Sequence, residues 1–367
     1  MDFLGELKGH KDEVTCVAVA ALSGSGSDFT ASSNSAAHAG RYLATGSLDG
    51  TVRLWRVSAD EGERAASAKC VKCLSFGKEV VSVAFSPDWG NDSATVMMHV
   101  AIDGGEIRGI SLLAALEKPS IVVQMGDDCD AFRVPSGEEV NEMAILPGER
   151  IVATTDDEGD VCIAEWKNGN EASRTRLSGS KTHSNICTSA FFVPESSKDG
   201  ARLVTGGMDS RIMYWDIAWS DSGSVIVADV ESVDIKPFVD TSAASSSSGT
   251  QLLNPPLVHT ASCDPSGETF SAGLGDGTIA SYSCADLTCE NRFTAHRAAV
   301  ASVAHDRASN LLLSASSDMT IKSWRGSVLK HEAALPHKPN WIACCAGTVF
   351  VADVTSSVKM FRLFKAS

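Results

Sequence analysis

The sequence is poor in the features that mark a membrane-spanning, secreted or nucleic-acid-binding protein. No apolar run approaches the roughly 18 residues that a membrane helix needs, and no membrane partner is expected. The leading residues Met1-Asp2-Phe3-Leu4-Gly5-Glu6-Leu7-Lys8 have neither a basic n-region nor an apolar h-region, so no secretory signal is expected. Aromatic residues are only 6% of the chain while glycine reaches 30 residues, the balance of a turn-rich β protein. The eleven cysteines are odd in number and scattered, and several (Cys16, Cys162, Cys187, Cys263) fall inside apolar strand patterns. That pattern suits buried thiols in a reducing compartment, cytosol or nucleus, better than a disulfide framework. Positive charge is scarce as well: the net charge of −15 argues against a nucleic-acid partner.

Catalytic constellations are also missing. Cys70-Val71-Lys72-Cys73 is a lone CxxC with no second pair, read here as two strand cysteines, with a zinc or redox role as the alternative. Gly273-Leu274-Gly275-Asp276-Gly277 looks like a phosphate loop, but no helix follows to bind the phosphate. No catalytic residue, metal site or cofactor is expected.

What is present is a repeat. Leu43 to Trp55, Leu203 to Trp215 and Leu312 to Trp324 read almost alike, each with an aspartate six residues before a tryptophan: Asp49/Trp55, Asp209/Trp215, Asp318/Trp324. A histidine precedes each unit, at His10, His183 and His296. Such spacing predicts a short apolar strand, an Asp-initiated turn, and a returning strand with its Trp on the packed face. The His, a Ser or Thr on the first strand (Thr45, Thr205, Ser314), the Asp and the Trp N–H can then share a buried hydrogen-bond chain. Weaker copies fill the gaps: Phe270 to Tyr282 with Asp276, Val152 to Ala164, Val100 to Ile110 with Asp103-Gly104, and Val349 to Phe361. In the third unit Ala164 takes the Trp slot, since Trp166 comes two residues late. The seven units begin near residues 10, 79, 139, 183, 254, 296 and 337, and apolar packing is expected to carry more of the stability in the four incomplete ones.

These residues resemble the WD-repeat family. The resemblance implies an all-β fold, a seven-bladed β-propeller in one domain over 1–367, working as a non-enzymatic scaffold or adaptor for protein binding. The alternative class is a propeller-based hydrolase or metal-dependent enzyme, which metal analysis of the purified protein would separate. Since the seventh unit runs out at Phe364, residues 2–7 are expected to supply its outer strand and close the ring. Flexible insertions are expected at 22–40 and 217–250, and a short helix within 111–138.

Two features suggest where a partner binds. Eleven acidic residues between Gly126 and Asp160, against Arg133 and Arg150, hold nine of the fifteen net negative charges. This is either a solvated face or a rim (Asp127, Asp128, Asp130, Glu138, Glu139) that steers a basic partner segment. Loops leading into four inner strands also carry asparagine: Asn141, Asn185, Asn254 (with Pro255 and His259) and Asn340, the last beside Trp341. An exposed Trp within a ring of amides would bind peptide; the alternative is that Asn only bonds its own turn. The resemblance extends to His183–Cys187, Gln251–Pro255 with His259, Asn340-Trp341 and Val351–Ser356. It implies an adaptor role, with cullin-4 ubiquitin ligases as the partner assembly. Receptors of that type carry a box ending Trp-Asp-x-Arg; here Leu203 to Ala218 ends Trp215-Asp216-Ile217-Ala218, and the other candidates end at Ser58 and Ser327.

Overall fold

Short strands that alternate apolar and polar residues, separated by Asp and Gly turns, leave each sheet with two faces to cover. The computed structural model stacks seven such sheets as blades around a central channel. It describes residues 1–22, 38, 40–58, 66–86, 96–126, 130–146, 151–167, 170–177, 182–194, 200–219, 225–237, 254–345 and 347–363. From the channel outward, blade one holds Val14–Leu22, Gly40–Ser47, Thr51–Ser58 and Ser67–Ser75. Blades two and three begin at Val80–Phe85 and Val140–Ile145, and blade four at Cys187–Phe192. Blades five, six and seven begin at Val258–Cys263, Val300–Asp306 and Pro339–Cys345.

Blade seven is completed by the N-terminus. Asp2–Lys8 pairs antiparallel with Ser357–Arg362, in a register running from Asp2 opposite Arg362 to Lys8 opposite Ser357. The expected closure is therefore the observed one. Residues 111–138 contain the helix Leu112–Glu117, capped by Ser111, and then Val122–Gln124, which adds a parallel fifth strand to blade one. The chain returns to blade two as Asp130–Arg133.

The expectation of an insertion over 217–250 needs correcting. Arg211–Trp219 runs through its start, and Val225–Asp234 forms the outer strand of blade four. The alternation was visible in Val225, Val227, Val230 and Val233, but a bulge between Asp216 and Ile217 breaks its period. The rest of that segment from 238 on, and most of 22–40, lie outside the described residues.

The register places each repeat residue where its spacing predicts. Trp55, Trp215 and Trp324 stand opposite Leu43, Leu203 and Leu312. Tyr282, Ala164, Ile110 and Phe361 hold the same rung in blades five, three, two and seven. Every one of these residues packs against the preceding blade, and among the described residues an apolar cluster fills each junction. Trp215, for example, joins Ile151, Ile163 and Leu203, whereas Trp324 joins Ile279, Val300 and Leu312.

The complete hydrogen-bond chains form in blades one, four and six. In blade four Trp215 Nε1 donates to Thr205 Oγ1 (3.0 Å), which lies 2.9 Å from His183 Nε2, and His183 Nδ1 lies 2.9 Å from Asp209. Blade one repeats this with Trp55, Thr45, His10 and Asp49, and blade six with Trp324, Ser314, His296 and Asp318. Burial pushes His296 down to about 4 despite Asp318, so its imidazole is neutral at pH 7. A neutral ring fits the chain in one sense: Trp N–H to hydroxyl, hydroxyl to Nε2, and Nδ1–H to Asp.

The incomplete blades do not rely on apolar packing alone. Ion pairs stand in the same layer: Arg108 with Glu106 (2.6 Å) in blade two, Arg176 with Asp160 (2.5 Å) in blade three, and Arg292 with Asp276 (2.7 Å) in blade five. Blade seven buries Lys359 to 2% exposure against Asp353 at 2.8 Å, with Thr355 and both the carbonyl and hydroxyl of Ser357 completing the ammonium's shell. A buried ion pair survives only when its remaining donors are satisfied, and this one is.

Two expectations follow. Deleting residues 1–8 exposes the Ser357–Arg362 edge and should lower the melting temperature clearly; an unchanged melting curve would refute the closure. Asp209→Ala should cost about 1–3 kcal/mol, because it strands His183 and the Ser184 and Arg211 N–H groups. Asp157→Ala, at an exposed position, should stay within about 0.5 kcal/mol. Coincident denaturation curves for the two variants would contradict this assignment.

Candidate functional site

Inner strands of neighbouring blades diverge around the channel and share no backbone ladder, so side chains must link them. Each inner strand has a bulge one residue in, at Thr15, Val81, Asn141, Thr188, His259, Ala301 and Asn340. Where that residue is a suitable donor it reaches the carbonyl opening the next inner strand. Thr15 donates to Val80 (2.8 Å), Asn141 to Cys187 (3.1 Å), Thr188 to Val258 (2.6 Å) and Asn340 to Val14 (3.0 Å). One position further, an acceptor takes an N–H from the next blade. Glu142 accepts from Ala190 (2.9 Å), Ser189 from Ala261 (2.8 Å), Thr260 from Val303 (3.2 Å) and Ser302 from Ile342 (3.2 Å).

This ring divides the expected binding residues into two groups. Asn141 and Asn340 are half-buried strand residues that tie blades together; Asn141 also donates to Asp157 and Asn340 to Glu13. Trp341 is half-buried rather than exposed: it lines the channel and packs on the apolar cluster between blades seven and one. The other residues remain presented. Asn185, Asn254 and Pro255 are exposed, and His259 is half-buried, with burial and then the charge of Lys338 holding its pKa low. Asn185 Oδ1 accepts the Ile186 N–H, a bond within its own loop.

The acidic stretch also divides. Asp156 and Asp160 are buried, and Glu142 faces the channel. Asp127 and Asp128 lie outside the described residues. Asp130 pairs with Gly109, whereas Arg133 pairs with Glu106 beside the Asp103 turn. Three residues of strand, about 10 Å, therefore separate Asp130 from the mouth face, so it cannot share a rim with Glu138 and Glu139. Those two are exposed at the mouth. Burial, followed by the charges of Asp157, Asp103 and Glu79, pushes Glu139 above the usual carboxylate range. The acidic edge of the mouth is thus Glu79, Asp103, Glu138, Glu139 and Asp157, from blades two and three.

Within the channel a cavity of about 370 Å³ is walled by Glu142, Trp341, His305 and Cys344, with Asp264 and Arg307 also on its lining. Burial pushes Glu142 up to about 7, opposed only by its bonds to Ala190 and Ser189. It pushes His305 down to about 4, against the pull of Asp264. Glu142 entered the sequence reading only as one acid among eleven; its place three residues before Ile145 in an apolar strand was the overlooked signal. On the other face, a groove of about 930 Å³ between blades four and five is lined by Arg202, Asp216, Glu268, Glu290 and Cys284. Cys70 and Cys73 sit within the strand Ser67–Ser75 as free thiols, and no metal-binding cluster occurs among the described residues.

Glu142→Gln keeps the acceptor for Ala190 and removes the charge. A carboxyl whose folded pKa is raised favours folding below the ordinary carboxylate pKa, and that contribution is lost as pH climbs through about 7. The variant should therefore melt higher than the parent at pH 8 and alongside it at pH 5. A gain of equal size at both pH values would contradict the burial of this charge.

Comparison with known proteins agrees with the geometry. The WD domain, G-beta repeat family matches residues 1–56, 174–216 and 287–325. These spans contain the three complete His–Asp–Trp units. Among solved structures, the WD40 beta propeller domain of Doa1 superposes with a TM-score of 0.66 at 18% identity, over 99% of this chain and 97% of that one. The chain is a seven-bladed β-propeller, and the WD repeat family's model is matched over the three spans that hold its complete units.

Proposed function

We propose that this propeller is a non-enzymatic scaffold that captures a protein partner at the channel mouth, through a basic segment of that partner. The observation that carries this reading is the juxtaposition on one face of the acidic edge (Glu79, Asp103, Glu138, Glu139, Asp157) with the exposed Asn185, Asn254 and Pro255. Burial, and after it the like charges of Asp157, Asp103 and Glu79, raise the Glu139 pKa; a carboxylate so placed gains from an arriving cation, and the same field speeds association. The exposed amides offer donors and acceptors that the fold itself does not use between blades. A cytosolic or nuclear setting suits the ten described cysteines, all free thiols.

The local segments around His183–Cys187, His259 and Asn340-Trp341 resemble WD repeat-containing protein 53, and an adaptor role in a cullin-4 ubiquitin ligase is the finer form of this reading. Arg202 bears on it: its guanidinium bonds Asp216 at 3.2 Å across the ladder, two residues from the Ala218 that stands in the arginine place of the box.

Affinity purification with mass spectrometry from cells would identify partners, and variants then locate the interface. Glu138→Lys with Glu139→Lys should slow association with the main partner, most strongly at low salt. Asn185→Ala with Asn254→Ala should speed dissociation without shifting the melting curve, since neither amide links blades. Trp341→Ala should weaken capture and also lower stability, given its packing on the blade seven/one cluster. Unaltered kinetics in the first two double variants would place the interface elsewhere.

A further inference from the structure

At the junctions following blades four, five and six, the inter-blade N–H is accepted by a hydroxyl: Ser189, Thr260 and Ser302. Only after blade three does a carboxylate, Glu142, make the same bond, and it does so on the wall of a cavity. A serine would satisfy Ala190 without burying a charge, so the carboxylate exceeds what the junction needs. Its Oε2 takes the Ala190 N–H and the carboxylate also bonds the Ser189 hydroxyl, but no lysine, arginine or histidine among the described residues pairs with it. The strand bearing it begins directly after Glu138 and Glu139, so acidic groups continue from the mouth down the blade-three side of the channel.

The other titratable groups on the cavity wall do not substitute for it. Asp264 is engaged by the Ser266 hydroxyl and the Thr269 N–H in the turn after the inner strand of blade five. Burial keeps His305 neutral at pH 7 and pushes the Cys344 thiol up, while the bond with Cys284, and then burial, push the Cys263 thiol up. Arg307 lies just beyond the far end of the blade-six inner strand and is exposed. Of the strands packed on Glu142's own, Val80–Phe85 carries no titratable side chain, Cys187–Phe192 carries Cys187, Ile151–Asp156 carries Asp156 and Met97–Ile102 carries His99. Burial pushes His99 down to about 4, so it is neutral at pH 7, and none of these groups supplies a positive charge.

We infer that the channel is a binding site for a cationic side chain, the guanidinium or ammonium head of an arginine or lysine, with Glu142 as its counter-ion and Trp341 on the opposing wall. This deepens the mouth-binding reading and rests on it for the source of the cation. The site selects for charge: a half-buried carboxylate on the cavity wall without a cation costs stability, and an inserted cation relieves that cost. It also couples binding to pH, because the empty site holds a proton below about 7 and the occupied site favours the charged form.

The full-length protein can be titrated with n-butylguanidinium and n-butylammonium, with neutral n-butylurea as control, while the Glu142 carboxyl is followed by ¹³C NMR. Saturating cation should move the Glu142 titration midpoint down by more than one pH unit. Affinity should drop on the order of tenfold or more between pH 8 and pH 5.5. Butylurea should do neither, and Glu142→Gln should abolish the pH dependence. The two cations compared show whether the site takes arginine or lysine. A midpoint unmoved by both cations overturns the inference on the unmodified protein, whatever the variant's fold. Cation binding that depends on Glu142, with partner capture indifferent to Glu138, Glu139, Asn185 and Asn254, would keep the channel site and overturn the mouth reading. Partner capture that depends on those four residues without any effect of cations on Glu142 would do the reverse.

Discussion

A propeller stands or falls on its blade-to-blade junctions, because no backbone ladder crosses them. Here each junction has an apolar layer, and those after blades one, three, four, five, six and seven also have a polar one nearer the channel. The outer one is apolar, with the Trp or its substitute from one blade pressed onto its predecessor. The inner one is polar, where bulged inner strands send Thr15, Asn141, Thr188 and Asn340 to the next blade's carbonyl. Burying a carbonyl or N–H without a partner costs about 1–3 kcal/mol, so this inner ring also decides which residues can be spared for binding.

The same economy governs the interiors of the blades. A turn that places an aspartate beside the returning strand needs a donor to hold it. Blades one, four and six use a neutral histidine, itself held by a hydroxyl and an indole N–H. Blades three and five use an arginine from the outer strand, and blade seven a lysine from the strand that also pairs with the N-terminus. Ring closure and the buried Lys359–Asp353 pair therefore meet on one strand, Ser357–Arg362.

At the mouth, structural and binding duties are divided residue by residue. Asn141 and Asn340 are committed to the ring, whereas Asn185 and Asn254 are not. Glu142 belongs to both groups: one oxygen serves the junction and its charge faces the cavity. The acidic edge, the free amides and the channel carboxylate lie along one path from the surface inward, which is why a cationic segment is the partner chemistry that the site favours.

The sequence by itself determined the number of blades, the three His–Ser/Thr–Asp–Trp chains and the closure by residues 2–7. Those features depend on spacings within one repeat, or on a strand count left one short, and local periodicity carries both. Tertiary structure alone decided what Asn141, Asn340, Trp341, Asp130 and Glu142 do. Their partners belong to neighbouring blades or to the opposite end of a strand, and Asn340 reaches Val14 across 326 residues of chain. Asn141 and Asn340 sit at the bulge one residue into an inner strand, Asn185 and Asn254 in the loop before one, and the letter alone does not say which. Only the folded strand fixes that offset, and with it whether the amide meets the next blade's carbonyl or solvent.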